Sequence, residues 1–174
     1  TIECGGVLHH MEDPAKGLSA LCKHMKPGGY IKLGLYSDIA RQDIVKARNR
    51  IKHVGIASTA DSIRGFRQQV LRGEFKDLAN LPSFGRNFYS LSECRDLCFH
   101  VQEHRFTPEL LQELLDAEGL IFCGFMLPGV VRKNYKQQFP SDTDMTSLEN
   151  WGDFEQQNPS TFIAMYQFWA HKPS

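Results

Sequence analysis

Three short runs of strand-forming residues, each bounded by turn residues and separated by helical periodicity, restrict this chain to folds that lay helices against a sheet. Ile2–Cys4 ends at Gly5-Gly6, Tyr30–Tyr36 (YIKLGLY) follows Pro27-Gly28-Gly29, and Leu120–Leu127 (LIFCGFML) follows Gly119. The second and third are apolar runs of about four to eight residues between turn signals, the length of buried strands and too short for buried helices, while Ile2–Cys4 is a short stub. Between the first two runs, Asp13 is a good cap and Pro14 suits a first helical position. Leu18, Leu21, Cys22 and Met25 then recur at helical spacing. Alternating strand and helix argues for a parallel sheet with helices on its faces.

The same reading predicts a helix from Ser37 or Asp38 through Ile44 and Ile51 to Val54, and another over Thr59–Leu71. Residues Phe75–Tyr89, with Pro82 and Gly85, read as a loop with short helical turns. A helix from Ser90 or Ser92 runs through Leu97 to Val101, and Thr107-Pro108-Glu109 opens one that stops at Gly119. Val130–Phe139 and Leu148–Gln157 are further helices, and Thr161–His171 (TFIAMYQFWAH) is a long closing strand whose aromatics predict burial on both faces. With no repeats or linker-like tracts, residues 1–174 read as a single domain.

Charge narrows the function. Twenty Lys and Arg balance twenty Asp and Glu, so no field exists that would draw nucleic acid. No apolar run approaches the roughly 18 residues of a membrane span. Five cysteines (Cys4, Cys22, Cys94, Cys98 and Cys123), odd in number and without a CxxC pair, read as reduced core thiols of a cytoplasmic protein. The chain opens at Thr1 without a leader, so it is expected to begin inside a longer one.

Ile2-Glu3-Cys4-Gly5-Gly6-Val7-Leu8-His9-His10-Met11-Glu12-Asp13-Pro14 resembles the fourth strand and following loop of class I S-adenosylmethionine (SAM)-dependent methyltransferases. Leu21–Leu33 (LCKHMKPGGYIKL) resembles the helix, turn and fifth strand that come next, at matching spacing. Leu35-Tyr36-Ser37, Cys94–Phe106 and Met165–Trp169 are similar to a bacterial group of these enzymes often attached to tetratricopeptide repeats. The resemblance implies the C-terminal half of a seven-stranded, Rossmann-like α/β sheet: strands four to seven, the last antiparallel between the fifth and sixth. It implies a helical substrate-side insertion at about 38–106. The glycine-rich cofactor loop and the acidic residue that holds the ribose would lie upstream, and no G-x-G-x-x-G occurs here.

In open α/β sheets ligands sit beyond the carboxyl ends of the strands. The resemblance therefore gives Cys4, Gly5, Gly6, Val7 and His9 as the residues facing the methionine end of SAM. Glycines there permit close backbone approach, and they also serve a plain turn. His9 and His10 are candidate general bases, since imidazole titrates near neutrality; packing against the sheet and orienting the loop is the other account of them. Tyr36, at the carboxyl end of its strand, is a candidate substrate contact or a core aromatic. His100, Glu103 and His104 are candidate substrate-facing groups of a segment over the site, or a polar helix face.

His100-Val101-Gln102-Glu103-His104 also matches the H-x-x-E-H pattern, which on a helix sets two imidazoles one turn apart for zinc. No third ligand is singled out, so no metal is expected. The function expected is methyl transfer from SAM to a small-molecule or protein acceptor, performed within a longer chain. The alternative is a non-catalytic, partner-binding domain of degenerate methyltransferase fold; a zinc hydrolase ranks last.

Overall fold

The computed structural model describes residues 1–100, 102–163 and 165–174. The described chain divides into two compact units, one made of Thr1–Ala40 with Gln102–Ser174 and the other of Arg41–Val101.

The first unit is built on a four-stranded mixed sheet. Its strands are β1 (Ile2–Gly5), β2 (Tyr30–Leu35), β3 (Ile121–Phe125) and β4 (Tyr166–His171), in the order β1-β2-β4-β3. β1 and β2 are parallel, while β4 runs antiparallel to both β2 and β3. The last strand thus lies between the second and third, in the place the resemblance implies for it. Four helices accompany the sheet: α1 (Pro14–Lys23), α6 (Pro108–Asp116), α7 (Gly129–Gln138) and α8 (Leu148–Gln157).

Local chemistry sets these elements. The Asp13 side chain accepts from the Lys16 N–H and Pro14 occupies the first turn of α1. Thr107 does the same for α6, accepting from the Leu110 N–H before Pro108. Each such cap is worth about 0.5–2 kcal/mol. In β2, Ile31, Leu33 and Leu35 face the core and oppose Ala170, Phe168 and Tyr166 of β4. Leu18 and Cys22 of α1, Leu111, Leu114 and Leu115 of α6, and Trp151 and Phe154 of α8 complete one apolar cluster. Each fully buried Leu or Phe side chain contributes about 1.5–3 kcal/mol of transfer free energy.

Among the described residues the other face of the sheet is the more open one. Glu3, Gly5, Gln167, Cys123 and Ile121 are exposed there, and Lys32, Trp169 and His171 are half-buried. The closing strand therefore alternates and is not buried on both faces. It is also shorter than expected. Thr161 and Phe162 belong to the turn after α8, where the Thr161 hydroxyl donates to the Asn158 carbonyl and Phe162 packs into the core. Ala164, part of the expected strand, lies outside the described residues. Cys123 is exposed and Cys4 half-buried, so only Cys22, Cys94 and Cys98 behave as core thiols.

The second unit is helical, with α2 (Gln42–Val54), α3 (Ala60–Leu71), the single turn α4 (Arg86–Tyr89) and α5 (Leu91–Phe99) around its own core. Ile44, Ile51, Ile63, Phe66 and Phe88 are buried in it. Thr59 caps α3 by accepting from the Ser62 N–H. α2 starts later than expected. The Ser37 hydroxyl accepts from the Ala40 N–H and so closes a turn before the helix, which opens after Arg41 without a side-chain cap. α5 ends at Phe99, and Val101, the expected end of that helix, lies outside the described residues.

Candidate functional site

The site forms where β1 and β2 end. Gly6 takes a left-handed φ of +74° and its N–H donates to the Gly34 carbonyl at 3.2 Å, turning the chain off the sheet. A Cβ built on Gly5 or Gly6 meets nothing within 4 Å, whereas one on Gly34 lies 3.0 Å from the Gly5 Cα and 2.8 Å from the Met165 sulfur. Gly34 is thus required by packing of strand on strand, and Gly5 and Gly6 face open space. They line a concavity of about 300 Å³ together with Cys4, Leu33, Gly34 and Met165. Glu3 and Lys32, paired at 3.5 Å, stand at its side.

Beyond Gly6, Val7 is exposed and a single 3-10 turn, Leu8–His10, buries Leu8 and His9. The His9 ring stacks on Tyr36 with centroids 3.7 Å apart and planes 27° apart. His10 meets both rings edge-on, 4.4 Å from His9 and 5.8 Å from Tyr36. Residues 102–106 run alongside as an extended segment. The His104 N–H donates to the His9 carbonyl (2.7 Å), and the Phe106 N–H donates to the Tyr36 carbonyl (2.8 Å). Gln102 donates through its amide to the Met11 carbonyl (3.1 Å), and its own carbonyl accepts from His10 Nδ1 (3.2 Å). That bond places the proton of a neutral His10 ring on Nδ1 and the lone pair on Nε2. Arg105 pairs with Asp38 at 2.9 Å and holds the same segment down.

The structure thus brings His9, His10, Tyr36 and His104 together in the first unit. Cys4, Gly5 and Gly6 line the concavity, and Val7 lies at the surface beside it. His9 is fully buried, with its ring against that of Tyr36. Glu103 is half-buried in the extended segment. His100 belongs to the second unit, where it follows α5 with extended backbone (φ −67°, ψ 140°). The helix that the H-x-x-E-H pattern requires does not form, and among the described residues no group of three His, Cys, Asp or Glu could hold a metal ion. Sequence reasoning missed Gln102 and Ser37. Neither carries a local signal, because each acts on a partner distant in the chain.

No family model matches the chain. Over 136 residues it is 35% identical to an uncharacterised protein of Synechococcus sp., an alignment that takes in 71% of this chain and 31% of the relative. The chain therefore spans about a third of that relative's length. The structure of the methyltransferase PKMT2 from Rickettsia typhi is similar to this one with a TM-score of 0.64, at 14% identity, over 97% of this chain and 34% of that one. At that identity the likeness speaks for the fold: the chain has a methyltransferase-like α/β fold with a mixed sheet.

Proposed function

We propose that this chain contributes part of the active site of a SAM-dependent methyltransferase and works within a longer polypeptide. The observation that carries the reading is the concavity at Gly5 and Gly6, open where a Cβ would stand, at the carboxyl ends of parallel strands in a methyltransferase-like fold. The one-third coverage of the relative supports the longer chain.

Gly5 and Gly6 fit a cofactor that must come close to backbone, since no side chain keeps it away. SAM would supply a sulfonium methyl group, open to in-line attack. This chain's own residues supply position and a base. The His9–Tyr36 stack and residues 102–106 fix the loop that follows Gly6. His10, whose Nδ1 donates to the Gln102 carbonyl, is the base for an acceptor that must lose a proton. Holding acceptor and methyl in line accounts for most of the rate in such a transfer. The acceptor is a small molecule or a protein side chain in a cytoplasmic setting.

Calorimetric titration of SAM and S-adenosylhomocysteine into this chain and into the natural longer chain tests the reading. Binding by the longer chain supports it. Failure of both to bind overturns it and favours a partner-binding domain.

A further inference from the structure

Glu155, on α8, is fully buried. The Ser37 hydroxyl donates to one carboxylate oxygen and the Tyr166 hydroxyl donates to the other. A buried carboxylate is expensive to keep, and an apolar side chain of similar volume would pack there at lower cost. Such a group is worth retaining where it fixes geometry, and its position shows which geometry. It joins three elements: α8, the start of β4 at Tyr166, and the chain leaving β2 at Ser37.

Ser37 is the residue after Tyr36. It makes a backbone bridge with Phe106, and its hydroxyl also accepts from the Ala40 N–H at 3.0 Å. Backbone bonds hold Tyr36 from the side of the 102–106 segment; the Glu155–Ser37 bond holds it from beneath. The Tyr36 ring in turn covers His9. A shift of Ser37 would therefore move Tyr36 and slide it off the His9 ring. Tyr166 is part of the network but opposes Leu35, one residue further from the site.

We propose that Glu155 is a positioning residue of the candidate site: through Ser37 it sets the place of Tyr36 on His9. The role in methyl transfer rests on the function proposed above; the positioning itself does not.

The test compares four variants of the chain by NMR, reading the upfield shift that the Tyr36 ring imposes on the His9 ring protons. Ser37→Ala removes the link. Glu155→Met removes both hydrogen bonds at similar volume. Glu155→Gln keeps an acceptor for one hydroxyl and a donor for the other, and Tyr166→Phe leaves the Ser37 link intact. Loss of the upfield shift is expected in S37A and E155M, and its retention in E155Q and Y166F. Should E155M fail to fold, Glu155→Leu takes its place, because S37A also removes the acceptor of the Ala40 N–H. The proposal is overturned if S37A keeps the wild-type His9 signals, or if Y166F loses them as fully as S37A does. In the longer chain, S37A is also expected to weaken SAM binding about tenfold, roughly 1.4 kcal/mol. A longer wild-type chain that does not bind SAM overturns the methyltransferase reading alone, because the ring shifts are read without SAM.

Discussion

The ring of Tyr36 lies on the imidazole of His9, 3.7 Å from centroid to centroid, and joins the chain leaving β2 to the loop leaving β1. Because His9 is fully buried beneath it, the stack is both packing and placement. Tyr36→Phe keeps the ring and so keeps the cover on His9. Tyr36→Ala strips the cover from His9 and is expected to cost about 1–3 kcal/mol, less than a fully buried aromatic because Tyr36 is half-buried. Urea denaturation checks this. The midpoint falls at unchanged slope in Y36A and lies above that value in Y36F; equal midpoints in Y36A and Y36F would show that the stack contributes nothing.

Two glycines in contact should answer oppositely to the same substitution. An added methyl at Gly34 lies 3.0 Å from the Gly5 Cα, where backbone cannot give way, so Gly34→Ala is expected to destabilise by about 1–3 kcal/mol. At Gly5 the methyl meets open space and φ is not left-handed. Gly5→Ala is expected to leave the melting curve unchanged and to lower SAM affinity in the longer chain. Thermal melts with calorimetry separate the two. Unchanged affinity in G5A would mean that no ligand approaches the backbone there.

Much of the framework was readable in the sequence because its causes are local. Thr107-Pro108 announces the start of α6, Asp13-Pro14 that of α1, and Leu148–Gln157 is a helix to the residue. The failures also have local explanations. Thr161-Phe162 sits in an apolar run that continues into β4, but the Asn158 carbonyl captures Thr161 and the core takes Phe162 from a turn. An apolar residue does not say whether a strand or a turn delivers it. His100 to His104 has the spacing of a helical zinc pair, but α5 ends first. Gly5, Gly6, His10 and Tyr36 were singled out from the sequence and lie at or just beyond strand ends. Ser37 and Glu155 were not, since they meet across 118 positions.

The buried carboxyl of Glu155 makes a pH prediction with a definite sign. Burial pushes its pKa above the ordinary 4.5, the Ser37 and Tyr166 hydroxyls pull it back, and the charges of Glu109 and Asp38 add to the rise. A raised folded-state pKa means that the folded protein holds this proton more tightly than the unfolded chain does. The resulting stability is fully present below about pH 4.5 and is lost as pH rises through the folded-state value. Stability measured against pH for wild type and Glu155→Gln should therefore diverge above pH 4.5, with the wild type losing ground. Parallel curves would show that the carboxyl is not perturbed.

Asp142 supplies the opposite case in the same unit. Burial pushes its carboxyl up, but the Tyr135 hydroxyl and the N–H groups of Ser147 and Thr146, all donating to it, more than offset this and hold its pKa below the ordinary 3.8. Its contribution is present above pH 3.8 and lost as pH falls through the depressed folded-state value. Tyr135 is fully buried, and its ring stacks on Trp151 at 3.8 Å, so Tyr135→Phe keeps the packing while removing one donor. The expected loss is about 0.5–1.5 kcal/mol at neutral pH, a little more if the vacated carboxylate oxygen is poorly hydrated. Asp142→Ala removes the acceptor of the Tyr135 hydroxyl and of the Thr146 and Ser147 N–H groups before α8. About 1–3 kcal/mol is expected there, because an unsatisfied donor costs more than a missing bond. The two variants should also differ from wild type in shape. Near neutral pH both are less stable, and as the solution is acidified below pH 3.8 the gap should close, since wild-type Asp142 becomes protonated and loses what the variants already lack. Acid-limb denaturation curves read this directly. A gap that stays constant down to the acid transition would assign the whole effect to packing around Trp151.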